Sequence, residues 1–63
     1  MKREQFLREL RSIARQRSVE FSVVVTKGKG SHVTVYFGER ATIIKHGELP
    51  PGYVRLVRKQ LGI

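Results

Sequence analysis

The sequence predicts an α+β domain in the order α-β-β-β-α, a three-stranded antiparallel sheet with two helices on one of its faces. Three observations predict it. An apolar stripe at three-and-four spacing opens the chain, alternating and β-branched stretches fill its middle, and a second helical stripe closes it. The connections between these stretches are short, which favours a meander of neighbouring strands. Sixty-three residues suit one domain, spanning 1–63. A body of this size buries only about 60% of its unfolded surface, so a thin core is expected.

The first helix is expected over residues 3–17, where Phe6, Leu7, Leu10, Ile13 and Ala14 share one stripe. Glu4 in the first turn and Arg15 and Arg17 in the last suit the helix dipole. Arg8, Arg11 and Arg15 follow one another at helical spacing and form a basic ridge, either a solvated face or a line of phosphate contacts.

Residues 20–26 read as a strand, with Phe21, Val23 and Val25 on one face and Ser22, Val24 and Thr26 on the other. A turn over 27–30 leads to a second strand over 31–37, in which Val33, Val35 and Phe37 alternate with Thr34 and Tyr36. That parity puts His32 on the face of Thr34 and Tyr36, pointing away from the core at the mouth of a basic, glycine-rich loop. A turn over 38–40 precedes the third strand, 41–45. Ala41 and Ile43 are expected to face the core there, while Ile44 breaks the alternation and has no assigned side. Residues 46–51 form a loop. Pro50 and Pro51 bar a regular element before them and suit the start of a helix. That helix is expected over 53–61, with Tyr53, Val54, Val57 and Leu61 as its apolar face. Gly62 fits the left-handed position after it, with Ile63 folding back as its hydrophobic partner.

Thirteen Lys and Arg against five Asp and Glu give a net charge of +8. Such a charge favours a polyanionic partner: nucleic acid, an anionic membrane surface or an acidic protein. Solubility alone is the blander alternative, but a surface kept for solubility intersperses both signs, and here acids are few. No apolar run approaches the ~20 residues of a membrane span, and no signal-peptide pattern opens the chain. The absence of cysteine rules out disulfides and cysteine-based zinc sites and fits the cytosol. The expectation is a soluble, cytoplasmic chain without a membrane partner.

The loop Lys27, Gly28, Lys29, Gly30, Ser31 lacks the spacing of a P-loop. Its backbone N–H groups still suit an anion, with the lysines adding charge; an ordinary hairpin turn with solvated lysines is the alternative. His32 and His46 are two ligands, too few for a zinc site, and no cofactor is expected. Ser31 neighbours His32 on a strand, where adjacent side chains take opposite faces, so the two do not form a nucleophile–base pair. Metal-free RNA cleavage fits what is left. RNA brings its own nucleophile, the 2′-hydroxyl, so the protein needs a proton-transfer group and cations for the phosphate. Histidine as a residue type suits the first task. Lys27, Lys29, Arg40 and Lys45 are candidates for the second. Tyr36 either stacks on a base or merely half-fills the sheet surface.

Gly30-Ser31-His32 runs into a strand. Lys45-His46 is followed by Gly47 and Glu48-Leu49, ahead of Pro51-Gly52. Val57-Arg58-Lys59-Gln60-Leu61-Gly62-Ile63 closes the chain. In order, spacing and total length these pieces resemble the HicA family of toxins from toxin–antitoxin pairs, over nearly the whole chain. The resemblance implies a double-stranded-RNA-binding-domain-like fold and an endoribonuclease acting on mRNA as an mRNA interferase. It also implies a catalytic role for His32 and silencing by a HicB-like antitoxin. Gly28, Gly30 and Ser31 would join the lysines in holding RNA, with His46 as a secondary candidate. Two other readings use the same residues: a non-catalytic RNA-binding module, in which His32 is dispensable, and a basic protein-interaction subunit.

Overall fold

The computed structural model describes residues 1–25 and 32–63. It contains α1 (Arg3–Arg17), β1 (Phe21–Val25), β2 (Val33–Phe37), β3 (Arg40–Ile44) and α2 (Pro51–Gln60). The strands form one antiparallel sheet in the order β1-β2-β3. This is the α+β order expected from the sequence. The predicted turn over 27–30, together with Thr26 and Ser31, lies outside the described residues.

The core is one cluster. Phe6, Leu10 and Ala14 of α1 meet Val33, Val35 and Phe37 of the central strand, Ile44 of β3, Leu49, and Val57 and Leu61 at the end of α2. Both helices therefore cover the same face of the sheet. The parity of β2 is as expected, with the valines and Phe37 inward and Tyr36 outward.

β3 differs from the expectation. Ile44 is fully buried and Ile43 is 57% exposed, together with Ala41 on the open face. The register explains it. A two-residue turn, Gly38-Glu39, leaves Phe37 paired with Arg40, so Val33 meets Ile44 and Thr34 meets Ile43. Paired residues share a face, and a slip of one position would invert every side chain. Of the residues in that turn only Gly38 has positive φ, at 60°, the requirement of a type II′ hairpin turn. Val25 keeps its predicted face, paired with the buried Val33, but is not itself buried. It is 71% exposed, since it ends an edge strand beyond the reach of the helices.

Leu49, in a stretch read only as loop, is fully buried. The segment before α2 is drawn in by the chain's first residues. The Leu49 amide donates to the Met1 carbonyl at 2.7 Å, the Arg3 amide to the Gly47 carbonyl at 3.2 Å, and Lys2 bridges Glu48 as an isolated strand pair. α2 starts at Pro51, earlier than the apolar spacing indicated, because proline at the first helical position gives up no hydrogen bond.

Both helices end in the same way. At α2 the Gly62 amide donates to Lys59 and the Ile63 amide to Arg58, with Gly62 at φ 78°. At α1 the Ser18 amide donates to Arg15 and the Val19 amide to Ala14, with Ser18 at φ 56°. This is the Schellman pattern, with a left-handed residue followed by an apolar one that packs back. Val19 and Ile63 are the apolar partners and both rest against the core.

Candidate nucleic-acid interface

His32 is exposed and immediately precedes β2. Val33, its neighbour, is buried and anchors the strand to the core. Lys45 and His46 immediately follow β3, and because Val33 pairs with Ile44 all three stand at one end of the sheet. Lys27, Gly28, Lys29, Gly30 and Ser31 lie outside the described residues.

Lys45 is held from two sides. Its amide donates to the Tyr53 hydroxyl at 3.1 Å, and its ammonium lies 5.0 Å from the centroid of the Tyr53 ring, a cation–π distance. Tyr53 therefore fixes one cation at the His32 end of the sheet. His46 is exposed and sits in a shallow groove with Lys2, Glu4, Gly47 and Glu48. The amino terminus, by hydrogen bond and by charge, holds the Glu48 carboxyl below the usual carboxylate range. The groove of His46 thus sets Glu4 and Glu48 against Lys2 and the amino terminus, which leaves no excess of positive charge for a phosphate.

Arg40 does not join this cluster. It pairs with Phe37 at the other end of the ladder, about 14 Å along the strand from Val33. Its guanidinium donates to the Gln60 carbonyl at 3.4 Å, and that of Arg17 to the Gly62 carbonyl at 3.1 Å. These two cations complement the negative end of α2. The sequence carried no sign of this clamp, because each pair is far apart in the chain.

The open face presents two cross-strand rows: Val24–Thr34–Ile43 and Ser22–Tyr36–Ala41. Tyr36 is 46% exposed, and its small neighbours Ser22 and Ala41 do not cover the ring. Arg8, Arg11 and Arg15 are all exposed on α1. Among the described residues the carboxylate pairs are Glu9 with Arg58 and Glu48 with the amino terminus, so the arginine ridge is not neutralised. Nor do three or more His, Cys, Asp or Glu side chains among the described residues gather where they could hold a metal ion. Among the described residues no helix is long and apolar enough to cross a membrane.

The fold and the charge together define a small, strongly basic α+β domain with one sheet face covered and the other open. No protein-family model, curated protein or solved structure matches it.

Proposed function

We propose that the chain is a HicA-like mRNA interferase of the cytoplasm, with a double-stranded-RNA-binding-domain-like fold, restrained by a HicB-like antitoxin. The observation that carries the reading is the position of His32. It is exposed at the sheet end that also holds Lys45, while the strand it leads into is locked to the core by Val33, Val35 and Phe37. A rigid strand behind an accessible imidazole is what positioned proton transfer needs.

The chemistry is transfer within the RNA. A base takes the proton of a 2′-hydroxyl, that oxygen attacks the adjacent phosphorus, and the bond from phosphorus to the 5′-oxygen breaks. The leaving oxygen picks up a proton, giving a 2′,3′-cyclic phosphate and a 5′-hydroxyl. His32 serves as the proton-transfer group, and Lys45 with Lys27 and Lys29 balances charge on the phosphorane. His46 is the weaker candidate, given a groove with no excess of positive charge.

The test is to incubate the purified chain with RNA in EDTA and analyse product ends. Cleavage to cyclic phosphate termini is expected. His32→Ala should reduce it by about 10²–10⁴-fold, with His46→Ala close to wild type. Loss in His46→Ala alone moves the role to His46. A requirement for divalent metal overturns the mechanism.

The exposed Tyr36 ring between small neighbours favours a second reading, an RNA-binding module without catalysis. It predicts salt-sensitive binding, no product ends under any condition, and no consequence of His32→Ala.

A further inference from the structure

β1 is an edge of the sheet, and among the described residues no strand pairs with its outer side. The Glu20 carbonyl accepts a hydrogen bond from the Gly38 amide at 2.8 Å. Residues of an antiparallel strand bond alternately to one side and the other. Ser22 and Val24 therefore bond toward their partners Tyr36 and Thr34, and the N–H and C=O groups of Phe21, Val23 and Val25 point off the edge. Among the described residues none of these groups has a backbone partner outside the sheet.

The opposite edge shows what protection looks like. On β3 the Tyr53 hydroxyl donates to the Ile43 carbonyl at 3.3 Å and accepts from the Lys45 amide, and Thr42 donates to Gln60 at 2.7 Å. Exposed edges are usually blunted by proline, bulges or charged side chains. The β1 sequence Phe-Ser-Val-Val-Val has none of these, and Val24 and Val25 are exposed.

Beside this edge runs the unneutralised ridge. A groove between α1 and β1 is lined by Glu4, Leu7, Arg8, Arg11 and Val23. The Arg11 guanidinium lies 5.8 Å from the centroid of the Phe21 ring, so the cations stand directly over the helix-covered side of the edge.

We propose that β1 accepts an added strand from a protein partner, an extended segment in which Asp or Glu alternates with apolar residues. Its backbone pairs with Phe21, Val23 and Val25. Its acidic side chains fall on the helix-covered side, against Arg8 and Arg11, and its apolar ones lie on the open face beside Val24. A second copy of this chain fits poorly, because two-fold pairing of β1 with β1 sets the two arginine ridges side by side. RNA answers the arginines but leaves the backbone row and the apolar positions unused. The inference stands independently of RNA cleavage, since it uses neither histidine.

The experiment titrates the isotopically labelled full chain with a ten-residue peptide alternating Val and Glu. Two controls accompany it, a Val–Lys peptide and a Val–Glu peptide N-methylated at alternate residues. The expected result is amide shifts centred on Phe21, Val23 and Val25, slowed exchange there, and binding at least tenfold weaker for either control. Val25→Pro removes an outward N–H without breaking the ladder to β2 and should weaken binding tenfold or more. If that variant fails to fold, the N-methylated peptide makes the same test on the unaltered chain. Arg8→Glu with Arg11→Glu should turn the preference toward Val–Lys. Equal binding of the Glu and Lys peptides, or shifts centred elsewhere, overturns the proposal. Edge shifts with a single-stranded RNA oligonucleotide and with no peptide give the ridge to nucleic acid instead. Edge shifts that depend on protein concentration alone give it to a second copy.

Discussion

Ile43 and Ile44 are adjacent and chemically identical, yet the first is 57% exposed and the second fully buried. They divide the sheet into its two faces. On the covered face Ile44 joins Val33, Val35 and Phe37 under both helices. On the open face Ile43 stands in a row with Thr34 and Val24, next to Tyr36. The covered face is continuous and apolar and specifies the fold. The open face is a mixture of polar, aromatic and isolated apolar residues. A surface of that composition is free to serve recognition, because little of the fold's stability depends on it.

The sharpest way to break that comparison is to truncate both isoleucines. Ile44→Ala should destabilise the domain by about 2–5 kcal/mol, since it opens a cavity among Val33, Leu49 and Val57. In a chain with so thin a core, much of the population should then be unfolded at room temperature. Ile43→Ala should fall within about 0.5 kcal/mol of wild type. Urea unfolding followed by circular dichroism measures both. Similar losses for the two variants would mean that the open face is covered in solution.

A smaller effect should come from Tyr36→Ala. Stacking of one base on an aromatic ring is worth about 1–3 kcal/mol, so if the open face holds RNA, affinity for a single-stranded oligonucleotide should fall at least fivefold. Stability should change little, because Ser22 and Ala41 give the ring few contacts. Fluorescence anisotropy at several salt concentrations separates the two contributions. Lost stacking lowers affinity equally at every salt, whereas a lost phosphate contact also makes the salt slope shallower. Unchanged affinity would confine RNA to the arginine ridge and the sheet end near His32.

What was legible in the sequence follows the same division. α1 could be read because Phe6, Leu10 and Ala14 repeat with the helical period. β2 could be read because Val33, Val35 and Phe37 alternate strictly. Local periodicity is enough wherever one face is buried and the other is not. It failed at β3, where two isoleucines in succession carry no phase. There the phase came from the turn at Gly38 and the pairing of Phe37 with Arg40, which is information from another strand. Leu49 was missed for a similar reason. It belongs to no periodic run, and what buries it is contact with the chain's first residues. Arg40 was legible as a cation but not as a partner of Gln60. The exposure of His32 was legible from strand parity alone.

The smallest change concerns the ends of the helices that make the covered face. α1 and α2 close with the same hydrogen-bond pattern, but α2 places Gly62 at the left-handed position and α1 places Ser18 there. A residue with a Cβ carries a conformational cost of roughly 1–2 kcal/mol in that region, and glycine carries almost none. Part of the gain from Ser18→Gly is offset, because glycine also loses more freedom on folding. The net expectation is a stabilisation of about 0.5–1 kcal/mol, which for a domain of this size raises the melting temperature by a few degrees. The Ser18 hydroxyl makes no hydrogen bond among the described residues, so little opposes the change. The opposite substitution calibrates it: Gly62→Ser should lower the melting temperature by more, because a Cβ there would meet the Arg40 guanidinium at 3.2 Å as well as adopt φ 78°. Neither variant touches the open face, so RNA binding per folded molecule should be unchanged in both. A shift in RNA affinity that tracks the melting temperature would show that the two faces are coupled and that the division drawn between Ile43 and Ile44 is too sharp.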